Sequence, residues 1–366
     1  MASVITKLLF FLFLWYSLIC LASSVRDDYF ISNQDLDMVN SEKEVSELFQ
    51  AWKQKWEREY QTLEEETTRF ETFKSNLEYI KERNAKIKSS SDYSLGLNQF
   101  SDTSYEEFSK IYLLKTTNSI IKSDLVGTEM SNITVSCPNA TSSLDWRLSG
   151  AVTNVKNQGA CGSCWAFSAT GAIEGINQVV SQWLPNLSEQ QLISCDKNNS
   201  GCEGGIHFEA LQYVLKNGGI ATERDYPYKA SNGVCNCTLE TNNKFATIDG
   251  YNYWWNSPIP EVSLFCAVAK QPISVSFFAD RDFMSYKSGI FDGANFTSGG
   301  SCGHNHAMLI VGYGSLGADN DYWILKNSWG TSWGQCGYVF IKRNTGLAHG
   351  VNNINCAGSY PTKQIK

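Results

Sequence analysis

The sequence predicts an α+β protein in which a helical half precedes a strand-rich half, with a separate helical region in front of both. Apolar residues recur at helical spacing between residues 42 and 84, and again from Cys164 to Val180. The later chain instead carries short β-rich runs bounded by Gly or Asn. With 366 residues, 42% of them hydrophobic and 18% charged, the chain is long and apolar enough for two or three units with a sizeable core.

Charge and cysteine content narrow the classes of function. Thirty basic and 37 acidic side chains leave a formal net charge of -7, so electrostatics give no reason to expect nucleic acid as a partner. Twelve Cys residues are too few for a miniature scaffold held by disulfides alone, so a hydrophobic core must supply most of the stability.

The N-terminus predicts entry into the secretory pathway. Lys7 precedes an apolar run from Leu8 to Leu21, and small residues follow, which indicates a signal peptide over residues 1–24. An uncleaved anchor is the alternative, but the run is short for a transmembrane helix, so we expect no stable membrane association. The expected destination is a vacuole or lysosome-like compartment, or the extracellular space. Six glycosylation sequons fit this route: Asn132, Asn139, Asn186, Asn198, Asn236 and Asn295.

Residues 42–84 predict two amphipathic helices with charged outer faces. Between Ile111 and Ser143 the periodicity gives way to Thr, Asn, Ser and Lys, which predicts an exposed, protease-accessible connector. We therefore place a boundary within this stretch, with residues 25–142 preceding a domain formed by residues 143–366.

One long helix and several strands are predicted beyond this boundary. The helix runs from Cys164 to Val180, where apolar residues at steps of three and four predict one buried face. The β-rich runs are Ile273–Phe278, Ala307–Tyr313, Tyr322–Leu325 and Tyr338–Lys342.

Cys164 is the strongest candidate for chemistry. At the start of a helix, unpaired backbone N–H groups and the positive end of the helix dipole stabilise a thiolate, which is the nucleophilic form of cysteine. The Cys164 N–H and the Gln158 side-chain amide could hold a developing oxyanion. A thiolate also needs an imidazole partner, and the chain has only four His residues: His207, His304, His306 and His349.

Residues 161–165 read Cys-Gly-Ser-Cys-Trp, His306 follows Cys164 by 142 residues, and Asn327 follows it by 163. This pattern resembles the signature of papain-like cysteine proteases, and the resemblance covers nearly the whole chain after the signal. It implies a two-lobed papain-like fold, with a helical lobe and an antiparallel β-barrel-like lobe. It also implies an endopeptidase that hydrolyses protein or peptide substrates through an acyl-enzyme.

The resemblance gives each matching residue a role. Cys164 is the nucleophile, His306 the base that becomes the imidazolium of the ion pair, and Asn327 the group that orients its ring. Gln158 donates to the oxyanion, and Trp329 shields the bond between Asn327 and His306 from water. No cofactor or metal is required.

The helical region before the connector matches the same family independently. Its spaced residues resemble the interrupted pattern in propeptides of cathepsin L-like proteases, followed by a companion motif. The resemblance implies an inhibitory propeptide that crosses the cleft and is removed on activation, with acid as the expected trigger. Cystatin-type inhibitors are further expected partners of an enzyme expected to be a monomer. The matching residues are Glu65, Arg69, Phe73, Asn76, Ile80 and Asn84, then Gly96, Asn98, Phe100 and Asp102.

The resemblance also implies disulfides and a main specificity subsite. We expect an apolar or aromatic substrate preference with a polar wall, because most relatives have aliphatic residues where His207 and His304 stand. Asn305 replaces an Asp of the family, which is expected to change the pH profile. The disulfides are Cys161–Cys202, Cys195–Cys235 and Cys302–Cys356. Cys237, Cys266 and Cys336 are left over, and Cys137 is open to loss with the propeptide. The subsite residues are Ile206, His207, Ser276, His304 and Ala357, with Gly204 and Gly205 as an edge for the substrate backbone.

Three other functions compete with this interpretation. Cys161 and Cys164 form a C-x-x-C motif typical of thiol–disulfide oxidoreductases, although a lasting Cys161–Cys202 bond would remove one of the two sulfurs. A catalytically silent storage or recognition protein on the same scaffold is the second, despite the four catalytic residues being present. A metal site at Cys302, His304 and His306 is the third.

Overall fold

The structure is a computed structural model that describes residues 36, 38–87, 93–115, 127–130, 136–236, 238, 245–294, 296, 300–317 and 319–364. The predicted signal peptide, the sequons at Asn132 and Asn295, and Cys237 lie outside the described residues. Two compact units divide the chain, one ending at Glu82 and the other comprising Arg83–Lys366.

The helices are α1 (Glu42–Lys55), α2 (Leu63–Asn84), α3 (Tyr105–Tyr112), α4 (Cys164–Ser181), α5 (Glu189–Cys195), α6 (His207–Asn217), α7 (Glu261–Val268) and α8 (Arg281–Met284). The strands are β1 (Ser94–Leu95), β2 (Thr128–Glu129), β3 (Leu144–Asp145), β4 (Gly250–Trp254), β5 (Ile273–Phe277), β6 (Tyr286–Ser288), β7 (Ile290–Phe291), β8 (His306–Ser315), β9 (Asp321–Lys326), β10 (Tyr338–Lys342) and β11 (Gly358–Thr362).

The first unit confirms the predicted pair of amphipathic helices. A capping box at Ser41 and Glu44 satisfies the first backbone N–H groups of α1. The apolar face of α1 packs on α2 through aromatic rings, with Phe73 lying 5.2 Å from Phe49 and 5.5 Å from Trp52 between ring centroids. Of the apolar residues at helical spacing, five are buried and two, Trp56 and Phe70, are half-buried; the five are Leu48, Trp52, Phe73, Leu77 and Ile80.

A nine-stranded sheet dominates the second unit, in the order β2-β4-β11-β5-β8-β9-β10-β7, with β3 pairing with β8. Its central pairs are antiparallel, including β5 with β8 and β8 with β9. The pairs β2–β4 and β10–β7, at the two ends of the sheet, are parallel, so the predicted α+β fold has a sheet that is antiparallel at its centre and mixed overall. The four predicted strands are all present; Tyr338–Lys342 has the predicted ends, and the ends of the other three differ by at most two residues.

Helix α4 is buried on all sides, which corrects the prediction of one buried face. Every residue from Cys164 to Asn177 is buried except Phe167, because the helical core packs on one side of α4 and strand β8 on the other. Gly171 permits the second contact, since a Cβ there would lie 2.8 Å from Leu309 Cδ2. Val179, counted on the buried face, is instead 39% exposed.

The three predicted disulfides, Cys161–Cys202, Cys195–Cys235 and Cys302–Cys356, are all present. A fourth joins Cys137 to Cys266, which the sequence left without a partner. Cys336 is also disulfide-bonded. Within the described ranges, no helix is long and apolar enough to cross a membrane.

Candidate active site

Cys164 carries the one free thiol among the described cysteines, and it lies at the first position of α4. The preceding residue, Ser163, makes no side-chain capping bond to the helix, and its hydroxyl bonds to Tyr228 instead. The sulfur therefore takes up free N–H groups, from Trp165 in its own helix and from Ala307 in β8. The bond to Ala307 places the sulfur beside the residue that follows His306.

His306 opens strand β8 and is held by Asn327 at the end of β9. Its Nε2 lies 2.8 Å from Asn327 Oδ1, which also accepts the backbone N–H of Ser328. Because this oxygen only accepts, Nε2 must carry the proton of the neutral imidazole, and Nδ1 is left as the basic nitrogen. Nδ1 has no hydrogen-bond partner in the part of the chain that the structure describes.

Trp329 covers the pair of His306 and Asn327. Its ring lies 4.5 Å from the imidazole ring between centroids, with planes inclined by 30°, and it is fully buried. Phe283 and Trp333 pack edge-on against the same indole. This apolar cover keeps water from the hydrogen bond that fixes the imidazole.

Burial keeps the thiol and the imidazole neutral in this state. Removal from water raises the pKa of the Cys164 thiol to about 12 and lowers the pKa of His306 to about 4. The hydrogen bond that His306 donates to Asn327 opposes the second shift, because it favours the charged ring. Both shifts disfavour the charged forms, so burial in the closed site works against the ion pair.

Gln158 holds a donor aimed at a peptide carbonyl. Its side chain is fully buried, and its Oε1 accepts the Ser328 hydroxyl at 2.7 Å. One Nε2 proton is bound by the carbonyl of Cys161 at 2.7 Å, and the other by the carbonyl of Tyr112 at 2.9 Å. Tyr112 ends helix α3, in the region predicted to be the propeptide.

The chain from Tyr112 to Lys115, called here the covering segment, runs past Gln158 and past the neighbours of Cys164 and His306. The Leu113 carbonyl oxygen lies 3.1 Å from where a Cβ of Gly162 would be, so the covering segment closely approaches the backbone two residues before Cys164. The Leu114 N–H donates to the Asn305 carbonyl at 2.7 Å, and Lys115 pairs with Glu203. A substrate therefore cannot enter while this segment is bound.

A buried ion pair joins Arg83, in the region predicted to be the propeptide, to Asp282 in helix α8. Arg83 makes two-point contact with Asp282, with Nη2 2.8 Å from Oδ2, and the Tyr93 hydroxyl donates to the same oxygen at 2.6 Å. The Asp282 side chain is 1% exposed. Phe100 and Phe108 add aromatic contacts with Trp329, at 5.6 and 5.2 Å between ring centroids.

Replacing Arg83 by Ala should release the propeptide, because it leaves the Asp282 carboxylate buried without its cation. Breaking such a pair costs about 3–5 kcal/mol, equivalent to roughly two to four orders of magnitude in an opening equilibrium. The rate at which iodoacetamide alkylates Cys164 in the intact precursor at pH 7 measures this opening. Lys115→Ala removes a pair whose side chains are 54% and 55% exposed, so it should change the rate by less than about fivefold. Equal effects of both variants would contradict this role of Arg83.

The polar residues of the predicted subsite lie close together, with His207 and Ser276 buried and His304 half-buried. His207 contacts Ser359 Oγ through Nδ1 at 2.6 Å and Ser276 Oγ through Nε2 at 3.2 Å. The ring of His304 lies 4.3 Å from that of Trp255. Burial lowers the pKa of His207 to about 3, with repulsion from His304 adding to the shift, and burial also lowers the pKa of His304.

The apolar members of the subsite adjoin this polar group. Ile206 and Ala357 are buried, and the Ala357 carbonyl accepts the Ser276 N–H at 2.9 Å. Gly205 has to be glycine, because a Cβ would lie 2.4 Å from Asn199 Oδ1. Gly204 lies against Lys115 of the covering segment.

The side chain of Asn305 makes two hydrogen bonds with the backbone of Ala279. Its Oδ1 accepts the Ala279 N–H at 2.7 Å, and its Nδ2 donates to the Ala279 carbonyl at 3.1 Å. An Asp at this position could make only the first bond, because an ionised carboxylate has no donor. The amide thus fixes the chain that leads into His306, a role that the sequence did not reveal.

In the structure, residues that two of the alternative functions require are engaged in other bonds. Cys161 is bonded to Cys202, so it cannot exchange disulfides with Cys164. Cys302 is bonded to Cys356, and His306 Nε2 is bonded to Asn327, so the predicted metal ligands are engaged elsewhere.

Sequence reasoning missed a buried charge cluster behind the site. Lys156 Nζ lies 3.0 Å from Glu174 Oε1 and 2.6 Å from Glu189 Oε1. Lys326, which precedes Asn327, donates to Thr153, and burial lowers its pKa to about 8. These residues lie far apart along the chain, and charged residues are usually solvated, so no local signal marked them.

A thiol at a helix N-terminus, a base held by an amide and a segment of the same chain across the cleft define the precursor of a thiol-dependent hydrolase. Residues 140–361 match the family model described as papain family cysteine protease, and residues 49–108 match the cathepsin propeptide inhibitor domain (I29). The chain belongs to the papain family. It is a cysteine endopeptidase that acts on protein substrates and is made as an inactive precursor inhibited by its own propeptide.

Known proteins resemble the chain over nearly its full length. It is 44% identical to the P34 probable thiol protease of Glycine max, over 97% of this chain and 94% of that protein. It is also 44% identical to cysteine protease XCP2 of Arabidopsis thaliana, over 92% and 91% of the two. Among solved structures, procathepsin L2 of Tenebrio molitor is 36% identical, with a TM-score of 0.75 over 87% of this chain and 100% of that one. The proform of the ragweed allergen Amb a 11 is 32% identical, with a TM-score of 0.73 over 91% and 98%.

Proposed function

We propose that Cys164, His306, Asn327 and Gln158 carry out peptide-bond hydrolysis. Once the covering segment leaves, the thiol proton moves to His306 Nδ1, and the thiolate attacks the substrate carbonyl carbon. The carbonyl oxygen takes the position of the Tyr112 oxygen, where Gln158 Nε2 and the Cys164 N–H donate to it. His306 then protonates the leaving amine, and water hydrolyses the acyl-enzyme. The observation that carries the proposal is the Tyr112 carbonyl on Gln158, 2.9 Å away.

Titration of the processed protein with an epoxide inhibitor that reacts with activated thiols tests this assignment. We expect one equivalent to label Cys164 and to abolish activity in proportion, because the other described cysteines are disulfide-bonded. The intact precursor is the control, and it should react far more slowly because the covering segment blocks the sulfur. An active protein without label at Cys164 would contradict the proposal.

We further propose that the subsite accepts apolar or aromatic side chains and presents a polar, uncharged wall. Support comes from His207, whose pKa of about 3 leaves it neutral at any working pH, and from the buried Ile206 and Ala357. Leu114 of the covering segment packs against the core cluster that contains Ile206, so an aliphatic side chain already borders this region.

The preference is tested by profiling the processed enzyme with a library of fluorogenic peptides. These peptides vary at the second residue on the N-terminal side of the cleaved bond. We expect kcat/KM for Leu or Phe to exceed that for Arg or Glu at least tenfold, because the wall offers no counter-ion. His207→Leu is the matched variant and should shift the ranking further toward aliphatic residues. A strict requirement for a basic residue would refute the preference.

We propose that residues 1–24 are a signal peptide, that residues 25–142 contain the propeptide and a connector that is cut on activation, and that residues 143–366 form the peptidase domain with the catalytic groups. Disulfides and the exposed sequons Asn139, Asn186 and Asn236 support delivery to a vacuole or lysosome-like compartment or to the extracellular space. We also propose glycans at the other sequons, Asn132, Asn198 and Asn295. The processed enzyme is proposed to be a monomer that cystatin-type inhibitors bind.

Acid activation is proposed on the basis of the buried imidazoles. A His residue whose pKa is lowered by burial favours the closed state above about pH 6.5, and this contribution is lost as pH falls. His306, with a pKa of about 4, lies behind the covering segment. Protonation below about pH 6.5 thus favours opening.

A further inference from the structure

A short segment in the predicted connector is built into the catalytic domain as a strand. Thr128 and Glu129 form β2, which pairs in parallel with β4, and Thr128 stands opposite Asn252. The Met130 N–H continues the ladder to the Tyr253 carbonyl at 2.7 Å. Strand β2 is the outermost strand at this end of the sheet, so it covers the hydrogen-bonding groups of β4.

Side chains fit the same segment closely to the domain. Met130 is 8% exposed, and the Tyr360 hydroxyl on β11 donates to its sulfur at 3.1 Å. Gly127 lies on the Tyr251 ring so closely that a Cβ would be 2.2 Å from a ring carbon. Thr128 and Glu129 are exposed, as the sequence predicts for the connector, but the strand pairing and the burial of Met130 hold this stretch against the domain.

A disulfide ties the chain to the domain a few residues later. Cys137 is bonded to Cys266, which lies on α7 and is 1% exposed. A cut after residue 142, at the boundary predicted from the sequence, would leave every upstream residue attached through this bond. The covering segment would then stay at a high local concentration beside the cleft and keep inhibiting.

We propose that Gly127–Met130 and Cys137 remain part of the active enzyme, and that the peptide bond hydrolysed to free the propeptide lies N-terminal to Gly127. Water adds across that bond, giving a carboxyl terminus on the released propeptide and an amino terminus on the retained chain. The inference rests on the proposed activation of the precursor. The mature enzyme then begins before the region that matches the papain family. It keeps β2 as an edge strand, the disulfide of Cys137 and the exposed sequon at Asn139.

The test uses the full precursor with Cys164→Ala, so that cleavage of this precursor does not depend on its own catalysis. It is cut in trans at acid pH by a trace of activated wild-type protein and, separately, by pepsin. The product is analysed by intact mass and N-terminal sequencing, with and without a dithiol reductant. We expect Gly127–Met130 and Cys137 in the product under both conditions. A stable product that lacks them under either condition would overturn the inference. Failure of the wild-type protein to cut, while pepsin yields the expected product, would count against the proposed activity alone.

A second measurement isolates the effect of the disulfide between Cys137 and Cys266. A recognition sequence for a site-specific protease is inserted after Asn139 in the wild-type precursor, and a matched precursor also carries Cys137→Ser and Cys266→Ser. After complete cutting and dilution to nanomolar concentration, the serine variant should gain at least tenfold more activity than the disulfide-bonded form. Equal activation of the two, with equal thermal unfolding of the uncut precursors, would show that the disulfide does not retain the propeptide.

Discussion

Replacing Cys164 by Ala should abolish hydrolysis, with kcat/KM of the processed enzyme lower by roughly four to six orders of magnitude. No other described free thiol stands beside the imidazole, so nothing replaces the covalent step. The variant is processed in trans, and its activity on a fluorogenic peptide is compared with that of the wild-type enzyme.

Cys164→Ser is the matched variant for this prediction. It keeps the shape of the side chain and the N–H contacts from Trp165 and Ala307, but a hydroxyl does not ionise in this pH range. We expect it to be inactive as well, with thermal unfolding within a few degrees of the wild type. Retention of a tenth or more of the activity by either variant would mean that the nucleophile is another group.

Replacing Gln158 by Ala should lower kcat/KM by roughly a hundred- to a thousandfold, mainly through kcat. The amide donor that Tyr112 now occupies is needed most when negative charge develops on the substrate oxygen. Steady-state kinetics with the processed enzyme separate kcat from KM.

Two variants distinguish this donor role from a structural one. Gln158→Glu keeps the acceptor but removes the N–H donors, so it should lose about as much activity as the Ala variant. Ser328→Ala removes only the hydroxyl that Gln158 Oε1 accepts, and it should cost less than about tenfold. If Ser328→Ala lost as much activity as Gln158→Ala, the role of Gln158 would be structural and not that of a hydrogen-bond donor.

Sequence alone could predict the features set by local pattern. Cys164, His306 and Asn327 were identified because their spacing matches a signature, and α1 and α2 because their apolar residues follow a helical period. The bond between Cys137 and Cys266 could not be predicted, since it joins residues 129 positions apart and spacing does not determine pairing.

Other features depend on tertiary contacts that leave no period in the sequence. Helix α4 is buried all round because it lies between two layers, so Thr170 and Glu174 are as buried as its apolar residues. Strand β2 has only two residues, too few for an alternating pattern. The hydrogen bonds of Asn305 with Ala279 depend on two segments meeting in space.

The close packing of α4 on β8 links the speed of the enzyme to the rigidity of one interface. The thiol belongs to the helix and the imidazole to the strand, and Ser168 joins the two elements by donating to the Met308 carbonyl at 2.6 Å. Small slippage there misaligns the reacting atoms, and an ångström of displacement can cost a hundredfold in rate. On warming, we therefore expect catalysis to fail before the fold unfolds, so that turnover reports the first loosening of this interface.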